Sequence, residues 1–190
     1  MGASCRGFLG ARGQRSQAMT EFALVAPVML LMTFGIIDFG RALYFYSAAG
    51  NAAREAARVA LRASSPLPVN TDIRSAAAAH MPGVSVLAPP NGCYNGPIPA
   101  GPPPAGSAWV FVTEPNSPTG GAVLPSPPPN APGGEQPQPA GICSAVNPAV
   151  GSQQLQVSLV YNFVPLTPLV SNVIGDHVVF VLRVIAGSEY

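Results

Sequence analysis

With 190 residues, of which 9% are charged and 48% apolar, the chain has room for one membrane span plus at most one modest external domain, not for a large enzyme. A net charge of +1, with only nine Lys plus Arg, gives no concentrated basic face and so no electrostatic case for nucleic acid as a partner. Twenty-three Pro and twenty Gly require a long irregular segment somewhere.

Arg6, Arg12 and Arg15 come first, with no acid among them before Glu21. Phe22 to Ile37 is then a run of sixteen residues without a charge, entered through Gln17, Ala18, Met19, Thr20 and Glu21 and left through Asp38, Phe39, Gly40 and Arg41. A bilayer core of roughly 30 Å needs about 20 helical residues at ~1.5 Å each, so the run is slightly short. Continuing the helix through Phe39, Leu43 and Phe45, while Asp38 and Arg41 reach towards the headgroups, supplies the missing length. The three upstream arginines, against Arg41 and Arg54 downstream, favour an N-terminus inside and a C-terminal part outside. A cleaved secretory signal competes with this reading, but bulky Tyr44, Phe45 and Tyr46 follow where small residues should end one. A core helix of a soluble protein competes too, and nothing downstream offers enough helical surface to cover it.

Pro27 removes the bond its amide would have given to the Ala23 carbonyl, which predicts a kink or a loosened turn. Beyond Asp38 the sequence stays Ala-rich and helical in character to Ala63, and Pro66 and Pro68 end it. From Gln17 to Ala63 this is one rod about 70 Å long. On its distal half, Arg54, Arg58 and Arg62 fall on one stripe, with Glu55 able to reach Arg58. The stripe is either a solvated face or a docking stripe for an acidic partner subunit or for the protein's own C-terminal domain.

Asn70 to His80 predicts a short helix ended by Pro82 and Gly83, and Val84 to Leu87 a short strand. Pro89 to Pro139 holds sixteen Pro and eight Gly, a polyproline-type or irregular loop acting as a spacer or as a ligand for an aromatic groove. Within it only Trp109 to Val112 has strand character. Gln154 to Val164 alternates Leu155, Val157, Leu159, Tyr161 and Phe163 with mostly polar residues, a half-buried strand. Asp176 to Ala186 is apolar on both faces, which predicts a central strand or one covered on both sides. The fold class expected is α+β: a long N-terminal transmembrane helix continuing outside the membrane and packed on a small, mostly antiparallel sheet, with a Pro/Gly-rich loop insertion. The expected divisions are a leader at 1–16, the helix at 17–64, a short helix and strand at 65–88, the irregular segment at 89–139 and C-terminal strands at 140–190.

Chemistry is hard to find. His80 and His177 lie far apart, and only Asp176 stands beside either at ligand distance in sequence, so no metal site and no cofactor are expected. There is no phosphate loop and no G-x-S-x-G, and a cysteine nucleophile would still need a His-centred base, so no catalytic residue and no small-molecule substrate are expected. Cys93 and Cys143 can form a disulfide if the C-terminal part is outside, or remain two buried thiols. Glu21 is the unusual residue, since a carboxylate at the hydrophobic border costs up to ~2.5 kcal/mol or more if drawn to the bilayer centre. Capping of the helix dipole is one reason for an acid there.

The sequence from Arg15 through Ser16, Gln17, Glu21 and Phe22 to Pro27, then Phe34 to Arg41, then Ala52 to Arg58, resembles the N-terminal module of TadE-like proteins. Val157 to Pro168, followed by a strand and Glu189, is similar to the C-terminal part of that family. The resemblance covers roughly residues 13 to 63 and 153 to 190. It implies a pseudopilin-like component of the Tad system, which assembles adhesive Flp pili or related secretion filaments, with other pilin-like subunits, a prepilin peptidase and the Tad assembly machinery as partners. It further implies a cut between Ser16 and Gln17 and a recognition role for Glu21, pairing with a neighbour's N-terminal amine. The family prefers Gly before the cut, where this chain has Ser16. The alternative function is a single-pass membrane-anchored binding module that enters no filament.

Overall fold

The computed structural model describes residues 10–62, 68–90, 92, 94–95, 98–113, 115 and 154–187, with the side chains of the first helix described from Gln17 onward. Cys93, Cys143 and Glu189 lie outside the described residues. The chain begins with one helix, α1 (Gly10–Ala60), of 51 residues, which runs on through Pro27. It ends near the position where the prolines at 66 and 68 forbid its continuation. Helix α2 (Asn70–Ala79) follows, and its first turn is fixed by Asp72, whose Oδ2 accepts the Val69 amide at 3.1 Å.

Four strands form one mixed sheet in the order β1-β2-β3-β4. Strand β1 (Ser85–Leu87) pairs in parallel with β2 (Ser107–Thr113), whereas β2 with β3 (Gln154–Phe163), and β3 with β4 (Val178–Gly187), are antiparallel. Helix α3 (Pro168–Ile174) lies between the last two strands in sequence. The architecture is thus α+β with a sheet that is antiparallel in two of its three pairings.

The distal part of α1 is the other half of the core. Ala49, Ala52, Ala53, Ala56, Ala57 and Ala60 repeat every three or four residues, share one face and are fully or almost fully buried. Side chains that end at Cβ let the helix approach the sheet closely. An added Cβ on Gly50 would sit 3.5 Å from the Leu182 methyl, ordinary contact distance. Val157, Leu159, Tyr161 and Phe163 of β3 and the inner face of β4 pack beneath this stripe, with Ile73 and Ala77 of α2 beside it. Phe45 reaches from the helix to the Tyr161 ring, with centroids 5.4 Å apart, inside the range for aromatic pairs.

The structure corrects one expectation about the sheet. Strand β4 is not central but is the edge strand, with one face on α1 and the other open: Val179, Val181 and Ile185 are exposed. Among the described residues nothing covers this second apolar face. The first part of the Pro-rich segment also has a definite place. Pro103 is fully buried and its carbonyl accepts the Asn162 side-chain amide at 2.8 Å. Ile98 packs on Trp109, Phe111 and Val160 on the far side of the sheet. Beyond the short β1, the Tyr94 carbonyl accepts the Val112 amide at 2.8 Å, so this connection occupies part of the β2 edge that would otherwise be free.

Candidate functional site

The two halves of α1 meet different surroundings. Between Gln17 and Phe39 large apolar side chains point outward all round the helix, with Met19 at 76% and Phe22 at 72% exposure. A helix apolar on every side is a helix for a non-aqueous medium. The helix is long and apolar enough to cross a membrane, and almost none of its most apolar window is buried in the protein. From Ala42 onward the same helix becomes amphipathic and enters the core.

The junction between the halves is a clasp centred on Asp38. Pro165 and Pro168 flank Leu166 and Thr167, keep Val164 and Thr167 out of helical backbone, and leave the intervening amides without ladder partners once β3 has ended. Asp38 supplies what they lack. Its Oδ1 accepts the Leu166 amide at 3.0 Å, and its Oδ2 accepts the Thr167 amide at 3.2 Å and the Thr167 hydroxyl at 2.6 Å. Arg41, one turn on, donates to Oδ1 at 3.0 Å and lies 5.5 Å from the centroid of the Phe163 ring. The carboxylate is 3% exposed, and four charge-assisted bonds replace its water. Thr167 is the N-cap residue of α3, and its side chain makes no cap bond because the hydroxyl is committed to Asp38.

This corrects the sequence reading of Asp38 as a residue reaching for the headgroups. It turns inward and ties the helix to a segment 128 residues later in the chain. An acid at the exit of an apolar run with Arg at i+3, and a V-P-L-T-P segment with two unpaired amides, were both visible in the sequence, but nothing there joins them.

The structure places the other expected residues as follows. Ser16 and Gln17 lie within α1, so the bond between them is helical here. The Gln17 side-chain amide donates to Glu21 Oε1 at 3.2 Å, and Glu21 is exposed. Arg54, Arg58 and Arg62 are exposed, Arg54 and Arg58 on the side of α1 away from its alanines and Arg62 just beyond the end of the helix, which stops short of the expected stripe. Arg54 bonds Asn51 at 2.9 Å, and Arg58 grips the Glu55 carboxylate through both Nε and a terminal nitrogen. The guanidinium holds the Glu55 carboxyl below its ordinary range and is itself held above its own. Among the described residues no three His, Cys, Asp or Glu gather where they could hold a metal ion.

An apolar helix joined by a buried carboxylate clasp to a small mixed sheet defines an α+β protein with one helix long and apolar enough to cross a membrane. Residues 17–58, most of the long helix, match the family model described as TadE-like protein. No curated protein and no solved structure matches the chain.

Proposed function

We propose that the protein is a TadE-like pseudopilin, a non-enzymatic structural or assembly subunit of a Tad-type pilus or secretion apparatus. It stands in the cytoplasmic membrane with its N-terminus inside and its sheet domain outside. The observation that carries this reading is the division of α1: the residues matched by the family include both the uncovered apolar half and the half that is the core of the domain. A helix of that kind can leave the bilayer and pack against identical helices without unfolding its own domain. Its partners are the membrane, other pilin-like subunits, the prepilin peptidase and the assembly machinery.

In this reading the peptidase cuts after Ser16, and Glu21 pairs with the N-terminal amine of a neighbouring subunit. A carboxylate in an apolar setting is tolerable when an ammonium group satisfies it. The bond from Gln17 to Glu21 suits this role, because the group that holds the acid in the uncut chain belongs to the residue that would become the new N-terminus. Arg54, Arg58 and Arg62 form the surface offered to an acidic partner subunit, and a bond between Cys93 and Cys143 would close the external loop.

N-terminal sequencing of the mature membrane protein tests the processing step: a start at Gln17 is expected, and an intact N-terminus would make the protein a permanent anchor. Glu21→Gln is expected to insert normally but to lower recovery in sheared filaments roughly tenfold, the loss of about 1.4 kcal/mol of pairing. Recovery equal to the parent would return Glu21 to a capping role. Arg54→Glu with Arg58→Glu should likewise impair assembly, and normal assembly of that double variant would remove the stripe from the partner surface.

A further inference from the structure

Helix α3 is unusually apolar on its outside for a seven-residue surface helix. Val173 is 73% and Ile174 54% exposed, and Leu166, just before the helix, is 70% exposed. Its position relative to α1 is fixed by the clasp. Asp38 holds Leu166 and Thr167, and Val170, Val173 and Ile174 share an open apolar groove of about 380 Å³ with Leu31, Gly35 and Phe39. Leu31 precedes Asp38 by seven residues, ~10 Å along the helix axis, and belongs to the uncharged run.

That depth creates a conflict that only one arrangement resolves. If the bilayer began below α3, its outer boundary would fall near Leu31. A span of about 20 residues ending there would begin at Arg12, take in Arg15 and put Glu21 near its centre, where an acid costs ~2.5–3.5 kcal/mol. If the span is instead the uncharged run from Phe22 to Ile37, α3 and the groove are at the level of its outer end and must enter the boundary layer.

We propose that α3 and Leu166 form an interfacial wedge, lying in the outer boundary of the bilayer that α1 spans. Leu166, Val173 and Ile174 are among the acyl chains, and lipid tails fill the groove. The inference rests on the reading that α1 crosses a membrane. Asp176 and His177, exposed directly after the helix, then stand at headgroup level. Amphipathic segments bound in this way bury their apolar face ~5–10 Å into the boundary, the depth that separates Asp38 from Leu31 along α1. With the clasp, the wedge sets how close the sheet sits to the membrane and at what angle.

The test uses the full chain reconstituted in phosphatidylcholine vesicles, with and without bromine on the acyl chains, subtracting the parent signal from buried Trp109. Val173→Trp probes the wedge, Leu30→Trp the span, and Ile185→Trp the exposed far end of β4. Quenching of the position 173 indole comparable to position 30, and roughly threefold or more above position 185, is expected for a residue in the boundary layer. Quenching at 173 no greater than at 185, with strong quenching at 30, would leave the span standing and overturn the wedge. A blue-shifted but unquenched indole at 173 would mean that another protein chain covers α3, and would equally overturn it. No quenching at 30 would remove the span reading and the wedge together.

Discussion

Asp38→Ala is expected to destabilise the helix–sheet domain by about 3 kcal/mol, since two backbone amides and the Thr167 hydroxyl lose a buried charged acceptor and half-exposed Arg41 loses its partner. Leu166 and Thr167 lie between two prolines and, among the described residues, have no strand beside them, so the Asp38 carboxylate is their acceptor. Alanine would leave both amides and the Arg41 guanidinium to whatever water can enter from the groove. For a chain of this size the midpoint of thermal unfolding in detergent micelles should fall by roughly 10 °C. Hydrogen exchange at the Leu166 and Thr167 amides should accelerate before the strands loosen, because the clasp holds α3 and not the sheet ladders. Asp38→Asn keeps one acceptor but loses the charge and turns an amide donor towards other donors, so its loss should be intermediate. A change below about 1 kcal/mol for Asp38→Ala would show that the carboxylate is not what holds the junction.

The clasp also marks the limit of what the sequence makes legible. Local periodicity is a property of neighbouring residues, and wherever it decides the outcome the chain can be read directly. The long helix, the alternation of Leu155 to Phe163 and the strand around Trp109 all have this character. The candidate site divides in the same way. The 17–58 module carries a pattern dense enough to resemble a family, and the family model matches there. Strand order is different, because β4 has two apolar faces whether it lies at the centre of a sheet or at an edge with one face uncovered. Asp38 is harder still. An acid after an apolar run suits a headgroup as well as it suits a buried cluster of donors, and only the fold brings Thr167 to it. The buried Pro103 belongs to the same class, since a proline that covers a sheet and a proline in a spacer have the same neighbours in sequence.

The alanines of α1 had a local meaning, helix propensity, and a non-local one that only the sheet reveals. They are the surface that lets helix and sheet close. Ala56→Leu is expected to cost about 3 kcal/mol, the upper end for overpacking, because Ala56 is fully buried in a continuous stripe with Ala49, Ala52, Ala53 and Ala60, all at 0% exposure. The helix cannot yield locally: it is pinned at one end of the interface by the Asp38 clasp and flanked by α2 along the other. Three extra carbons must therefore push the sheet away or force the leucine out of a staggered rotamer. Ser47→Leu, on the exposed side of the same helix, should stay within about 0.5 kcal/mol of the parent, which separates packing from any change in helix propensity. Insertion should be unaffected, because Ala56 lies eighteen residues, ~27 Å, beyond Asp38 along the helix. The variant would then reside in the membrane with a loosened domain, measured as accelerated protease cleavage of the sheet at unchanged membrane content. If Ala56→Leu unfolds at the same temperature as the parent, the helix does not pack on the sheet at alanine distance, and the distal half of α1 is not the domain core.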